Sequence, residues 1–303
     1  MPKLAAFPKG FFDAIIARRM TVFEWIDLAG RLELEGAELG PKFLDSYESS
    51  YLARVRKEAA ARGLELPMLC HSPDFTQPDP ADRRREVEHT RDLFRVTAEL
   101  GGRYCRVLSG QNRPGLREEE ALKWVIDCLW QLEPHAKAAG VIMCMENHYK
   151  DNLWTYPEFA QSHRRYLAIL DAVDSPVLKA QYDPSNAIVA GEDQYELLER
   201  VLPRMATMQA SDRYLEGGTF EDLRKLARDP QHGYAKIIRH GVIGNGLNDY
   251  ARIFSTLARG GYDGWISIED GEGPTVEVGM ENLRLSARFL RSQFEKHWGG
   301  RRT

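Results

Sequence analysis

The chain has 303 residues, 43% of them hydrophobic, and a net charge of −4. That is enough apolar material for a substantial core, and the acidic balance argues against wholesale attraction to nucleic acid or an anionic membrane. No apolar run approaches the ~20 residues of a membrane span, and "MPKLAAFPKGFF" lacks the apolar heart of a signal peptide.

In chain order, eight short apolar runs read as strands: "KLAAF", "LELEGAEL", "LELPMLCH", "RYCRVLS", "VIMCMEN", "VLKAQYD", "RMATMQA" and "WISIED". Between most of them lies an amphipathic helix signal. Thr21 with Glu24 and Asp45 with Glu48 resemble capping boxes, and Pro157 suits a first helical turn. Gly63, Gly101, Gly140 and Gly260 fit helix ends. From the second run to the seventh the strands recur roughly every 28–38 residues, the size of a strand–helix unit. The last gap is longer and predicts an extra excursion, "RYLEGGTFEDLRKLARDPQHGYAKIIRHGVIGNG". This order predicts a (β/α)₈ TIM barrel, one domain over 1–303. The rival is a doubly wound open sheet, whose dinucleotide version is weakened because no GxGxxG follows the first run. Cys70, Cys105, Cys128 and Cys144 show no CxxC pairing, which predicts buried reduced thiols and a cytoplasmic location.

In such a barrel the C-terminal strand ends ring the mouth that carries the chemistry. "VIMCMENHYKD" is therefore unusual: a buried apolar strand ends in Glu146, Asn147 and His148 rather than in turn residues. The other runs end in Glu38, His71, Ser109 (with Arg106 within its run), Asp183 with Asn186, Gln209 with Asp212 and Arg213, and Glu269 with Asp270. Burying so many carboxylates is costly without a cation or hydrogen-bond donors, so a divalent metal is expected. Asp212 is expected to steady Arg213. Trp154 and Tyr156 either wall a ligand pocket at the mouth or pack the fifth loop. The glycines of "GNGLNDY" read either as a phosphate site or, more plainly, as a helix entry capped by Asn248. His240 reads as a surface-loop residue near the mouth.

"MENHYK", "YDPSN", "MQASDR", "GNGLNDY" and "WISIEDG" together resemble the sugar phosphate isomerase/epimerase superfamily of xylose-isomerase-like barrels. The resemblance spans nearly the whole chain and implies one divalent ion held by Glu146, Asp183, Gln209 and Glu269. Gln209 stands where that family commonly has His. The resulting all-oxygen set favours Mn²⁺ or Mg²⁺, with Co²⁺ or Zn²⁺ as alternatives. The implied chemistry is proton transfer beside the carbonyl of a keto-sugar through an enediolate, with Glu146 and Glu269 as acid and base. His71, His148, Asn186 and Arg213 are the expected substrate contacts. The implied partner is a small carbohydrate, with neither nucleic acid nor membrane, and a homo-oligomer is compatible with it. The alternatives are a lyase or dehydratase acting on a keto-sugar or 3-keto glycoside, an endonuclease IV-like repair enzyme, and a non-catalytic sugar-binding subunit.

Overall fold

A computed structural model describes residues 1–225, 234–270 and 273–299. Eight parallel strands form the central sheet, in the order β2-β1-β10-β7-β6-β5-β4-β3. They are β1 (Lys3–Ala6), β2 (Gly36–Ala37), β3 (Met68–Cys70), β4 (Tyr104–Val107), β5 (Ile142–Glu146), β6 (Leu178–Tyr182), β7 (Met205–Ala210) and β10 (Trp265–Ile268). The two ends of this order meet through bridges Gly36↔Glu65 and Leu39↔Leu69, and Cys70 N–H donates to the Leu39 carbonyl at 2.7 Å. The sheet thus curls into the expected barrel, with helices around it.

The helices form where the sequence supplies an apolar stripe and a stop at each end. The helix Tyr250–Arg259 buries Tyr250, Ile253, Phe254, Leu257 and Ala258, a stripe with helical period. Phe254 packs its ring against Tyr250, Phe294 and Trp298, with centroids 5.5–5.7 Å away. Truncating it to Ala should cost about 3–5 kcal/mol, the usual loss for a buried aromatic. Asp249 caps the start by accepting from Arg252 N–H at 3.0 Å, and Gly261, at φ 73°, turns the chain away at the end. The Thr21–Glu24 capping box forms as read.

Three local expectations are corrected. Asp45 and Glu48 form no box, because Asp45 pairs with Arg18 and the helix starts at Ser49 without a side-chain cap. Pro157 precedes the 3₁₀ turn Phe159–Gln161 and lies outside any helix; the helix His163–Ala172 is capped by Ser162. Asn248 does not cap the following helix, since Asp249 occupies that position and Asn248 Nδ2 donates to Ser211 O and Asp212 Oδ1.

The predicted excursion is present as a two-stranded antiparallel hairpin, β8 (Asp212–Leu215) with β9 (Ile238–Gly241). It sits over the β5 and β6 loops, where Ile238 packs with Tyr149, Ile188 and Val189. Asp212 anchors it: its carboxylate accepts from the N–H groups of Arg213, Gly244, Gly246 and Asn248 at 3.0–3.2 Å. These bonds consume the amides that a phosphate at "GNG" would need. Gly246 must lack a side chain, because a Cβ there would lie 2.5 Å from Arg213 O. His240 lies in β9 opposite Arg213 rather than in a surface loop.

All four cysteines are free and buried. Among the described residues no helix is long and apolar enough to cross a membrane.

Candidate active site

Three strand ends converge. Glu146 ends β5, Asp183 follows β6 and Glu269 follows β10, and one ligand atom from each lies within 4.8 Å of the others. All three are buried. Each is placed by its neighbours. Asp183 also caps the short helix Pro184–Ala190, accepting from Asn186 N–H at 2.9 Å, and Ser211 Oγ donates to it at 2.8 and 3.0 Å. Glu146 accepts from Asn186 Nδ2 at 3.1 Å on one oxygen and from Arg106 Nη1 at 3.0 Å on the other. Glu269 meets Lys9 Nζ at 3.4 Å.

Carboxylates this close resist simultaneous ionisation in a dry site. Burial pushes Asp183 up to about 7, with the Glu269 charge adding to the rise. Burial also drives Glu146 well up; Arg106 opposes this, while Glu269 and Asp183 reinforce it. A cation would relieve all three charges at once.

Gln209, at the end of β7, departs from the expected quartet in its visible contacts. Its Nε2 donates to Glu38 Oε2 at 2.8 Å. Its Oε1 is buried without a hydrogen-bond partner in the protein. An orphaned buried carbonyl oxygen is costly, and a cation would satisfy it. The donor set of three carboxylates and one amide oxygen therefore fits a hard divalent ion. Glu38, with which the Gln209 amide is engaged, is itself buried, which raises its carboxyl to about 7.

The expected substrate contacts separate into two groups. His148 lies beside Glu146 and stacks on Tyr149, with centroids 4.9 Å apart, and Arg213 lies over the Tyr149 and Tyr234 rings at 4.9 and 4.7 Å. Arg213 Nε donates to Ser185 Oγ at 3.4 Å, and its Nη1 has no hydrogen-bond partner. Asp212 meets Arg213 at its backbone rather than at the guanidinium. Asn186 is committed to two of the carboxylates. His71 stands apart on a cavity of about 470 Å³, its Nε2 3.2 Å from Thr90 Oγ1. Burial lowers the pKa of both His71 and His148 well below the ordinary histidine value, so both rings are neutral.

Sequence reading passed over three participants. Lys9 arrives just after β1, at the start of the turn Lys9–Phe11. Arg106 was noted without a role, yet it links Glu146 to Ser72 Oγ (2.8 Å) and to His71 O (3.3 Å). Glu158 comes from the loop beyond β5 and has no sequence signal. It accepts from Ser109 N–H and Oγ at 2.7 and 2.6 Å, and its other oxygen faces His148 Nδ1 at 4.0 Å. Trp154 lines the 470 Å³ cavity and Tyr156 does not.

A family model described as xylose isomerase-like TIM barrel matches residues 26–293. The chain belongs to the xylose isomerase-like TIM barrel family. Within this family it is 22% identical to an inosose dehydratase of Bacillus thuringiensis (strain Al Hakam), over 60% of this chain. The match spans only 58% of that relative's own length. Among solved structures, a D-psicose 3-epimerase from Clostridium cellulolyticum H10, described with D-tagatose, superposes with a TM-score of 0.74 at 14% identity, covering 96% of this chain and 98% of the other. The IOLI protein, described with a bound zinc atom, gives 0.73 at 15% identity, covering 98% and 99%. At such identities these structures establish the shared barrel.

Proposed function

We propose that this xylose isomerase-like barrel is a divalent-metal-dependent enzyme that moves a proton beside the carbonyl of a keto-sugar, as an isomerase or epimerase. The observation that carries this reading is the buried convergence of Glu146, Asp183 and Glu269 within 4.8 Å. Asp183 and the Gln209 amide oxygen would hold the ion, together with the two glutamates. When bound, a Mn²⁺ or Mg²⁺ ion would offset the negative charge that develops on substrate oxygens as the proton leaves.

The remaining work falls to side chains. Glu146 and Glu269 stand three strands apart around the barrel, so a substrate held between them meets a carboxylate on each side. One takes the proton from carbon and the other returns one. Arg106 and Asn186 fix the Glu146 carboxylate, and Lys9 stands beside Glu269. Arg213, with an unpartnered Nη1, is aimed to donate to a substrate oxygen, and His148 supplies a neutral imidazole.

A lyase reading is kept because the similarity to inosose dehydratases favours it. It shares the proton abstraction and differs in expelling a group from the neighbouring carbon. The zinc named for the IOLI structure keeps Zn²⁺ in the set of ions to be tested.

The test is turnover in heavy water with ketoses, inososes and 3-keto glycosides. The proposal expects deuterium at carbon beside the carbonyl. Glu146→Gln and Glu269→Gln should keep metal but slow the reaction by ~10²–10⁴-fold, the usual loss of a general base. Near wild-type rates in both variants would contradict the assignment.

A further inference from the structure

Glu158 Oε2 and His148 Nδ1 face each other across 4.0 Å, and both atoms are buried with no hydrogen-bond partner in the protein. Each alone is a costly orphan, and each suits the other as a partner. A water in line between them would need roughly 5.5 Å, two ordinary bond lengths, so the gap has no room for one. A side-chain shift of roughly 1 Å brings the two atoms to bonding distance. The frame around them is firm. Glu158 N–H donates to Tyr149 O at 2.8 Å, Phe159 N–H donates to Gly110 O at 2.7 Å, and Glu158 makes an antiparallel bridge with Gln111. The His148 ring is held flat against Tyr149.

The direction of the bond follows from the other carboxyl oxygen. Glu158 Oε1 accepts from Ser109 N–H at 2.7 Å and from Ser109 Oγ at 2.6 Å. Ser109 Oγ itself accepts from Ala160 N–H at 2.9 Å, which leaves its own proton to point at Glu158. A proton on the Glu158 carboxyl therefore sits on Oε2, against His148 Nδ1. Burial raises this carboxyl to about 8 against the Ser109 bonds; Arg106 lowers it and Asp74 raises it. Arg164 and Arg165 border the same pocket as Glu158, but both are held by Glu118. Burial, with Arg106, Lys9 and Arg213 facing it, keeps the His148 ring neutral. Near neutral pH the acid thus keeps its proton and the imidazole has a lone pair to receive it.

We propose that Glu158 is a positioning residue that, as a neutral acid, donates to His148 Nδ1 and fixes the ring as the Nε2–H tautomer. His148 borders the recess shared by Lys9, Arg106 and Glu269, and Nε2 points away from Glu158. The ring is then a hydrogen-bond donor for a substrate oxygen and not a proton acceptor. An ionised carboxylate would impose the opposite tautomer, because it can only accept from Nδ1–H. One proton is lost in that change: the carboxyl proton passes to Nδ1 and the Nε2 proton leaves. The inference deepens the proton-transfer reading above and rests on it for what His148 meets, whereas its test reads the ring itself.

The experiment is ¹⁵N NMR of the Mg²⁺-loaded protein labelled at its 8 histidines, with His148→Gln to assign the ring. At pH 6.5 the wild-type Nδ1 should carry the shift of a bare, hydrogen-bonded nitrogen and Nε2 that of a protonated one. Raising the pH through about 8, to 9.5, should move the wild-type ring toward Nδ1–H. Glu158→Gln cannot ionise. With its amide oxygen toward Ser109, its amide N–H faces Nδ1, so this variant should hold the Nε2–H tautomer at both pH values. A purely structural glutamate would leave the tautomer alone. A wild-type ring that is already Nδ1–H at pH 6.5, or a pH response identical in wild type and Glu158→Gln, overturns the proposal. A failed deuterium-exchange test beside the expected tautomers would remove the proton-transfer chemistry and leave the pairing standing.

Discussion

Arg106 Nη1 donates to Glu146 Oε2 at 3.0 Å, with both side chains buried. The pair ties a member of the carboxylate cluster to the neighbouring barrel strand, β4 to β5. Breaking a buried pair from one side leaves an uncompensated charge, which typically costs ~3–5 kcal/mol. Arg106→Met should therefore destabilise the chelator-treated protein by that order, and added Mn²⁺ should restore part of the loss by replacing the missing positive charge. Urea unfolding with and without Mn²⁺ measures both. A variant as stable as wild type without metal would show that Glu146 gives up its charge at no cost.

Gln209 offers a second test because its amide is split between two environments. Nε2 is held by Glu38 and Oε1 has no protein partner. Gln209→His should retain binding and shift preference toward Zn²⁺ or Co²⁺, since imidazole suits those ions. Gln209→Leu should weaken Mn²⁺ affinity by about tenfold or more, within the range that supporting contacts contribute. Competition titrations against a fluorescent chelator give the numbers. Unchanged Mn²⁺ affinity in the leucine variant would place the amide outside the metal site.

Glu158 should leave a signature in the pH dependence of stability. Burial raises its carboxyl from 4.5 to about 8, against the two bonds from Ser109. A raised folded-state value means that its stabilising contribution is full below about 4.5 and is lost as the pH rises through about 8. At about 1.4 kcal/mol per pKa unit, the loss is a few kcal/mol. Glu158→Gln removes the titration. Unfolding free energies at pH 5 and pH 8.5 should therefore show wild type falling relative to the variant as the pH rises. Parallel behaviour would show that Glu158 titrates normally.

Much of the fold was legible because each barrel strand is a short apolar run and each outer helix has a stripe and stops. The exception is the second strand, whose ladder pairing is limited to Gly36–Ala37 plus two bridges to the β3 side. Its run alternates glutamate with leucine, a pattern that marks extended backbone without fixing how much of it pairs. At the site, Glu146, Asp183 and Glu269 were readable because they end apolar strands, where a carboxylate has no cheap structural excuse. Lys9, Arg106 and Glu158 were not readable in the same way. Their partners lie 260, 40 and 49 positions away in sequence, and no local period encodes such contacts. Asn186 and Asp212 were seen, but their roles depended on which backbone amides the fold brought to them.

The account turns on whether the buried carboxylates hold a cation. The most direct measurement is mass-spectrometric metal content and Mn²⁺ titration of the purified chain beside Asp183→Ala, with circular dichroism to verify folding. Asp183 takes part in the cluster, caps a short helix and accepts from Ser211, so its loss removes a ligand without touching the Glu146–Arg106 pair. The account predicts one divalent ion per wild-type chain and none in a folded Asp183→Ala variant. A wild-type chain that binds no ion, or a variant that keeps full occupancy, would contradict it.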